Sequence, residues 1–179
     1  MPAYHSTYNA QAAEVRVING IPLVPIATKI RGPAPYNPSL TYDAIDEALE
    51  LFRPNSFFKN FEIKGNDDRL LIYLILFISQ CLNKLRTTTT QAEATKQLYS
   101  LAVTNVVIPA DPQFPLHSMY PQVDRMEGEQ LRQYLQQVRQ ELVQRLVPIV
   151  YTADGQSSQA PSKWWLSFQK RHFMGKSMH

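Results

Sequence analysis

The fold is decided by the stretch Asn66-Asp67-Asp68-Arg69-Leu70-Leu71-Ile72-Tyr73-Leu74-Ile75-Leu76-Phe77-Ile78-Ser79-Gln80-Cys81-Leu82-Asn83-Lys84-Leu85. Residues 70–78 are all apolar, a run that occurs in buried strands as well as in buried helices. The whole stretch lacks Gly and Pro over about twenty residues, and that length favours a helix buried on most sides. We therefore expect a central helix that starts at the cap residue Asn66 and ends at about Leu85 or Arg86.

Three further helices are predicted, one before the central helix in the sequence and two after it. The first covers about Thr41–Phe52, with apolar residues at helical spacing, and is ended by Pro54. Another begins at the capping box of Thr90 and Glu93 and runs to about Leu101. The last runs from about Asp124 to Leu146 and is closed by Pro148. Its inner face is predicted to hold Leu131, Leu135, Val138, Leu142 and Leu146, and its outer face Glu127, Glu129, Arg132, Arg139 and Glu141.

The remaining segments are rich in proline or glycine. Five prolines between residues 22 and 38 exclude helix there, yet the segment up to residue 40 is too apolar for a free tail, so we expect an extended arm on the domain surface with a short strand. A second extended connector covers Val106–Pro121, and Gly155–Gln159 is expected to be a flexible joint. A short fifth helix follows from Pro161 and Ser162 to Gly175. The prediction is an all-α, single compact domain of about five helices: an arm at 1–40 and a helical domain at 41–179.

Composition narrows the function classes. The 179 residues are 44% hydrophobic, enough for a real core, and the net charge of +3 lies far below that of a dedicated DNA-binding protein. A single cysteine, Cys81, excludes an intramolecular disulfide. The first residues lack a signal peptide's pattern, and the longest apolar run is about half of what a membrane span needs. We expect an intracellular, soluble protein without a membrane span.

No motif in the chain predicts catalysis. The six glycines form no phosphate-binding loop, and the histidines have no zinc-site spacing. Asp67 and Asp68 could be a metal or general-base pair, but acids in the first turn of a helix are explained by its dipole. Cys81 is most simply interpreted as a small buried hydrophobic residue. His5 and His117 are interpreted as surface or capped imidazoles. We expect no catalytic residue, no cofactor and no metal.

Two stretches point to a partner instead. Residues 161–179 contain both tryptophans, the cations Lys163, Lys170, Arg171 and Lys176, and no acid, which is the composition of binding hot spots. The alternative is a lid: Trp165, Phe168 and His172 share a face that could cap the core, but Trp164 and Phe173 then point elsewhere. Residues 57–64 mix aromatic and charged side chains, and the alternative there is a connector that plugs the core. The candidate partner-binding residues are Trp164, Trp165, Phe168, Lys170, Arg171, Phe173, Phe57, Phe58 and Lys59.

Taken in order, several stretches resemble one family over nearly the whole chain. They are Met1–Ser6, Gly32–Pro35, Phe57–Lys64, Asp68-Arg69 with the apolar run, Phe114–Leu116, Tyr134–Glu141, Pro161–Trp165, Lys170-Arg171 and Phe173-Met174. The family is subunit 3 of the actin-related protein 2/3 complex. The resemblance implies a non-enzymatic, all-helical subunit, an obligate hetero-oligomer docked mainly on the actin-related protein 3 subunit. It further implies the cytoplasmic actin cytoskeleton as location, in cortical patches or branched networks, near mother-filament actin.

A different class of function also fits the C-terminal stretch. A helical nucleic-acid-binding module would use Trp164 and Trp165 for stacking and Lys170 and Arg171 for phosphate contact. Such a module needs a continuous basic track, whereas the predicted helices are nearly neutral outside the C-terminal element. We therefore favour a protein partner over nucleic acid.

Overall fold

The apolar stretch forms one helix, α2 (Asn66–Lys84), at the centre of the computed structural model, which describes residues 3–10, 14–152 and 159–178. Every side chain from Leu70 to Ile78 is at most 2% exposed, so the helix is buried on all sides over this run. Cys81 is also fully buried, and burial raises the pKa of its thiol to about 12, as expected for an inert core residue. The cap residue is Gly65, one position before the predicted Asn66.

Helix α1 (Ala44–Asn55) packs against α2. Asp43 caps it by accepting hydrogen bonds from the amides of Ile45 and Asp46. The prediction that Pro54 ends the helix after Phe52 is wrong, because Pro54 is the penultimate residue of the last turn. The amide of Ser56 closes that turn by donating to the carbonyl of Phe52 at 3.0 Å.

Helix α3 (Gln91–Val103) begins at the predicted capping box, and α4 (Arg125–Thr152) packs along it. The prediction that Pro148 closes α4 is wrong. A proline inside a helix costs about 3 kcal/mol, but the turn beyond it buries Val150 and Tyr151. The hydroxyl of Tyr151 also donates to the carbonyl of Thr89 at 2.7 Å, and these contacts offset the cost.

The inner face of α4 is confirmed, since all five predicted residues are buried. Its predicted outer face is wrong at Arg139 and Glu141, which are 1% and 7% exposed. Arg139 donates to the carbonyl of Leu101 at 2.6 Å and to the hydroxyl of Tyr73 at 3.3 Å. Glu141 accepts from Arg145 at 3.2 Å. Both charges are therefore buried with hydrogen-bonding partners, as burial requires.

The N-terminal segment contains a small antiparallel hairpin of β1 (Val17–Ile18) and β2 (Ile21–Pro22), where one short strand was predicted. Asn19 and Gly20 form its turn with φ of 56° and 76°, the left-handed pair that suits a two-residue hairpin loop. The isoleucines on the two strands are buried in the core. Further along, the side-chain amide of Gln137 donates to the carbonyl of Ile30 at 2.8 Å and joins the segment to α4. The division of the chain near residue 40 stays a prediction.

The C-terminal segment is less helical than predicted. Helix α5 (Lys163–Leu166) is a single turn, followed by two 3₁₀ turns at Ser167–Lys170 and Phe173–Gly175. Between them Arg171 and His172 have extended backbone, so no continuous helix reaches Gly175. Two other 3₁₀ turns lie at Thr7–Ala10 and His117–Met119. The predicted all-α fold with five helices is otherwise confirmed, and most of the predicted joint at Gly155–Gln159 lies outside the described residues.

Candidate partner-binding surface

The C-terminal segment is fixed to the domain at several points. The amide of Ser162 donates to the carbonyl of Val150 at 2.9 Å, which ties the segment to the end of α4. The side-chain amide of Gln169 donates to the carbonyl of Leu85 at 2.8 Å, just beyond α2. Trp165 stacks on Phe52 of α1 with a centroid distance of 6.3 Å. The segment is therefore positioned by three helices.

Burial divides the aromatic residues of this segment into two groups. Trp165, Phe168 and Phe173 are 2%, 6% and 1% exposed, whereas Trp164 is 57% exposed. The lid interpretation is thus right for Trp165 and Phe168. It is wrong for His172, which is exposed. The expectation that Phe173 points away from the core is also wrong, because Phe173 is buried and packs edge-on against Phe61 at 5.6 Å. The segment caps the core and also leaves one indole facing solvent.

A cation from α1 lies over the exposed indole. The guanidinium carbon of Arg53 is 3.9 Å from the ring centroid of Trp164 and 4.8 Å from that of Trp165. Partial burial lowers the pKa of Arg53, and the guanidinium keeps its charge because arginine is not deprotonated in proteins. Sequence reasoning missed Arg53, since a lone arginine in the last turn of a helix has no pattern that predicts an aromatic partner far along the chain.

The stretch around Phe57 joins the same surface. Arg171 places its guanidinium carbon 4.1 Å from the ring centroid of Phe57, which also meets Phe168 edge-on at 6.0 Å. Behind it, the carbonyl of Phe58 accepts a hydrogen bond from the amide of Met174 at 3.1 Å. Phe57 is 56% exposed, Phe58 is half-buried, and only Phe61 plugs the core as the alternative interpretation expected. The structure therefore brings together two stretches that were predicted separately.

We call this region the basic-aromatic surface and define it as Arg53, Phe57, Trp164 and Arg171, with the exposed Lys59, Lys163 and Lys170 on the same segments. Its cations form no ion pair with any other residue that the structure describes. Arg145, by contrast, lies 2.7 Å from Asp43 and 3.2 Å from Glu141. Exposed aromatic rings held under unpaired arginines form a surface on which a partner's acidic groups would be stabilised.

Asp68, His5 and His117, which were considered for chemistry, have structural partners. The imidazole of His5 is 2.8 Å from the carboxylate of Asp68, which is fully buried and also accepts from the amides of Ser6 and Lys64. His117 bonds the carbonyl of Pro109 at 2.8 Å. Among the residues described, no group of three or more His, Cys, Asp or Glu side chains could hold a metal ion. Within the same residues, no helix has the length and apolar character needed to cross a membrane.

Comparison with known proteins covers the chain from end to end. The P21-Arc family model, described as the ARP2/3 complex ARPC3 (21 kDa) subunit, matches residues 1–178. Actin-related protein 2/3 complex subunit 3 of Saccharomyces cerevisiae is 49% identical over 99% of this chain and 100% of its own length. The Schizosaccharomyces pombe protein of the same name is 45% identical over 99% of this chain and 100% of its length. In Caenorhabditis elegans the probable subunit 3 is 43% identical, over 99% and 96% of the two chains. The chain belongs to the P21-Arc family of ARP2/3 complex ARPC3 subunits.

Proposed function

We propose that this chain is the structural third subunit of an actin-related protein 2/3 complex. In this role it docks on the actin-related protein 3 subunit and supports nucleation of branched actin filaments from a mother filament. The full-length family match carries the proposal, because it extends over residues 1–178 and over whole relatives that bear this subunit's name. The chain then acts in the cytoplasmic actin cytoskeleton and is an obligate hetero-oligomer.

The basic-aromatic surface is our candidate for a docking contact. Trp164 and Phe57 are each more than half exposed, although large aromatic side chains are usually buried in a monomer. Covering them would remove apolar area from water, and an acidic partner surface would pair with Arg53 and Arg171. Trp165, Phe168 and Phe173 are buried within the chain, so their contribution is to hold this surface in place.

We propose further that the chain carries no catalytic step of its own. Most of the residues that could have served catalysis are engaged in the fold: Asp68 holds the N-terminal segment, His5 lies on Asp68, His117 bonds a carbonyl, and Cys81 is a buried thiol. Asp67 lies in the first turn of α2, and among the described residues it belongs to no group of three or more His, Cys, Asp or Glu side chains that could hold a metal ion. Replacing any of them is expected to alter stability or assembly only. Loss of a turnover by the isolated chain after one such replacement would contradict this part of the proposal.

Purification of the tagged, full-length chain from its own cells tests the proposal. We expect the actin-related proteins and the other subunits of the complex to co-purify in fixed proportion, and the preparation to stimulate branching of actin filaments. Recovery of a lone monomer at high yield would overturn the subunit assignment. Enrichment of nucleic acid in place of actin-related proteins would favour the stacking module instead.

A further inference from the structure

A cavity of about 470 Å³ opens between the N-terminal segment and the first turns of α1 and α2. Its lining includes the apolar residues Val17, Val24 and Leu40. It also includes the polar residues Tyr8, Tyr42, Asp43 and Asp67. A space of this size suits one long side chain with adjoining backbone. None of its described lining residues belongs to the basic-aromatic surface, so the cavity is a separate feature.

Asp67 differs from the other acids around the cavity. Asp43 is paired with Arg145 at 2.7 Å, Asp68 with His5 at 2.8 Å, and Glu47 accepts the hydroxyl of Thr7 at 2.7 Å. The Asp67 carboxylate has no ion pair and no hydrogen bond to another residue in the described part of the chain. Burial, together with the charges of Glu47 and Asp68, raises the pKa of Asp67. An approaching cation would stabilise its charged form.

The two tyrosines complete a lining that favours a cation with an aliphatic stem. The hydroxyl of Tyr42 donates to Glu50 at 2.8 Å, and burial and nearby carboxylates raise the pKa of both phenols, so both stay neutral. Neutral aromatic rings attract guanidinium and ammonium groups, while valine and leucine side chains can cover the methylene stem. None of the described lining residues is basic, so the chain offers no cation of its own from this lining.

We propose that this cavity accepts one arginine or lysine side chain from another subunit, with the cationic group on Asp67 and the aliphatic stem against the apolar lining residues Val17, Val24 and Leu40. The identity of the donor as a subunit rests on the function proposed above. Tyr8 and Tyr42 flank the cation. The charges are reversed relative to the basic-aromatic surface, because here the partner supplies the positive group and this chain the negative one. The chain thereby engages its complex at two sites of opposite sign.

Photo-crosslinking in the assembled complex tests this site. A photoreactive residue replaces Leu40 in the tagged, full-length chain, the complex is purified, and the captured peptide is identified after irradiation. We expect a peptide of another subunit with an arginine or lysine at or next to the attachment point. The additional change Asp67→Asn is expected to lower the capture yield about fivefold, since it removes a part-buried ion pair. Glu62→Gln, at an exposed acid that does not line the cavity, leaves the yield unchanged.

The outcomes separate this proposal from the subunit assignment. If the chain does not co-purify with actin-related proteins, the proposed function fails before irradiation. If it co-purifies but nothing is captured, only the cavity proposal is overturned. Capture of a peptide without a basic residue, capture of a peptide from this chain itself, or a yield unaffected by Asp67→Asn also overturns it.

Discussion

Helix α2 and the C-terminal segment at 161–178 are both dense in large apolar side chains, yet they are buried differently. All nine residues from Leu70 to Ile78 are at most 2% exposed, whereas Trp165 is buried and its neighbour Trp164 is 57% exposed. In α2 the charged residues lie only at the helix ends, but in the C-terminal segment lysines and an arginine alternate with the aromatic residues. Apolar density alone therefore predicts contact with the core, and the interleaved cations indicate which segment also keeps a face in solvent.

Among the changes that test this comparison, the largest loss of stability is expected from a charged side chain in the middle of α2. Leu74→Asp places an unpaired carboxylate at a site with no exposure and is expected to cost more than about 4 kcal/mol, enough to unfold the domain. Leu74→Met, which keeps the volume, is expected to cost less than about 1.5 kcal/mol. Circular dichroism melts of the two variants measure the difference. A melt of Leu74→Asp that matches the unmodified chain would show that the core lies elsewhere.

A smaller effect is expected where a buried charge is paired within the fold. Burial alone would raise the pKa of Asp43, but hydrogen bonds and the charge of Arg145 outweigh it and hold the pKa below its ordinary value of 3.8. The ion pair therefore stabilises the fold above about pH 4, and this contribution is lost as the pH falls through the folded pKa. Asp43→Asn is expected to cost about 2 kcal/mol at pH 7 and to flatten the loss of stability in acid. An unchanged acid profile would contradict the sign of this pKa shift.

The smallest effect is expected at the exposed cations of the C-terminal segment. Reversing Lys170 and Arg171 to Glu should leave the thermal melt unchanged and reduce branch density about threefold at low salt, where attraction to an acidic partner is least screened. The defect should shrink as salt is added. The matched control reverses Lys84 and Lys96, which are exposed but lie outside the basic-aromatic surface. Equal branching by both double variants at every salt concentration would exclude this edge from the contact.

The sequence was sufficient where one residue pattern determines one local structure. Three features were predicted correctly because helix periodicity and capping are local. They are the single long helix α2, the capping box at Thr90 and the inner face of α4. The hairpin is locally encoded too, because Asn19 and Gly20 between apolar pairs are a two-residue turn signal. Pro22 and Pro25 weaken that signal, since proline cannot donate a hydrogen bond to a neighbouring strand. The continuation of α4 past Pro148 was missed because tertiary burial of Val150 and Tyr151 overrides a local propensity.

Contacts between distant segments could not be predicted in this way. Arg139 was placed on the outer face of α4 because arginine is rarely buried, and its partners, the Leu101 carbonyl and the Tyr73 hydroxyl, come from two other helices. Arg53 was missed because Trp164 approaches it only after the chain has folded. The sequence therefore identified most of the aromatic and basic residues of the candidate surface. It did not predict which of these residues face solvent.

We propose that Trp165 stabilises the fold and Trp164 contributes to assembly, and a matched pair of variants tests this division most directly. Trp165→Ala is expected to lower the free energy of unfolding of the full-length chain by about 3–5 kcal/mol, because it empties a buried site beside Phe52. Trp164→Ala is expected to change it by less than about 1 kcal/mol, yet to weaken assembly into the complex by about 2 kcal/mol or more. Thermal melts and co-purification of the tagged chains measure both quantities. Full assembly by the Trp164→Ala chain, or equal destabilisation of both variants, would contradict the account.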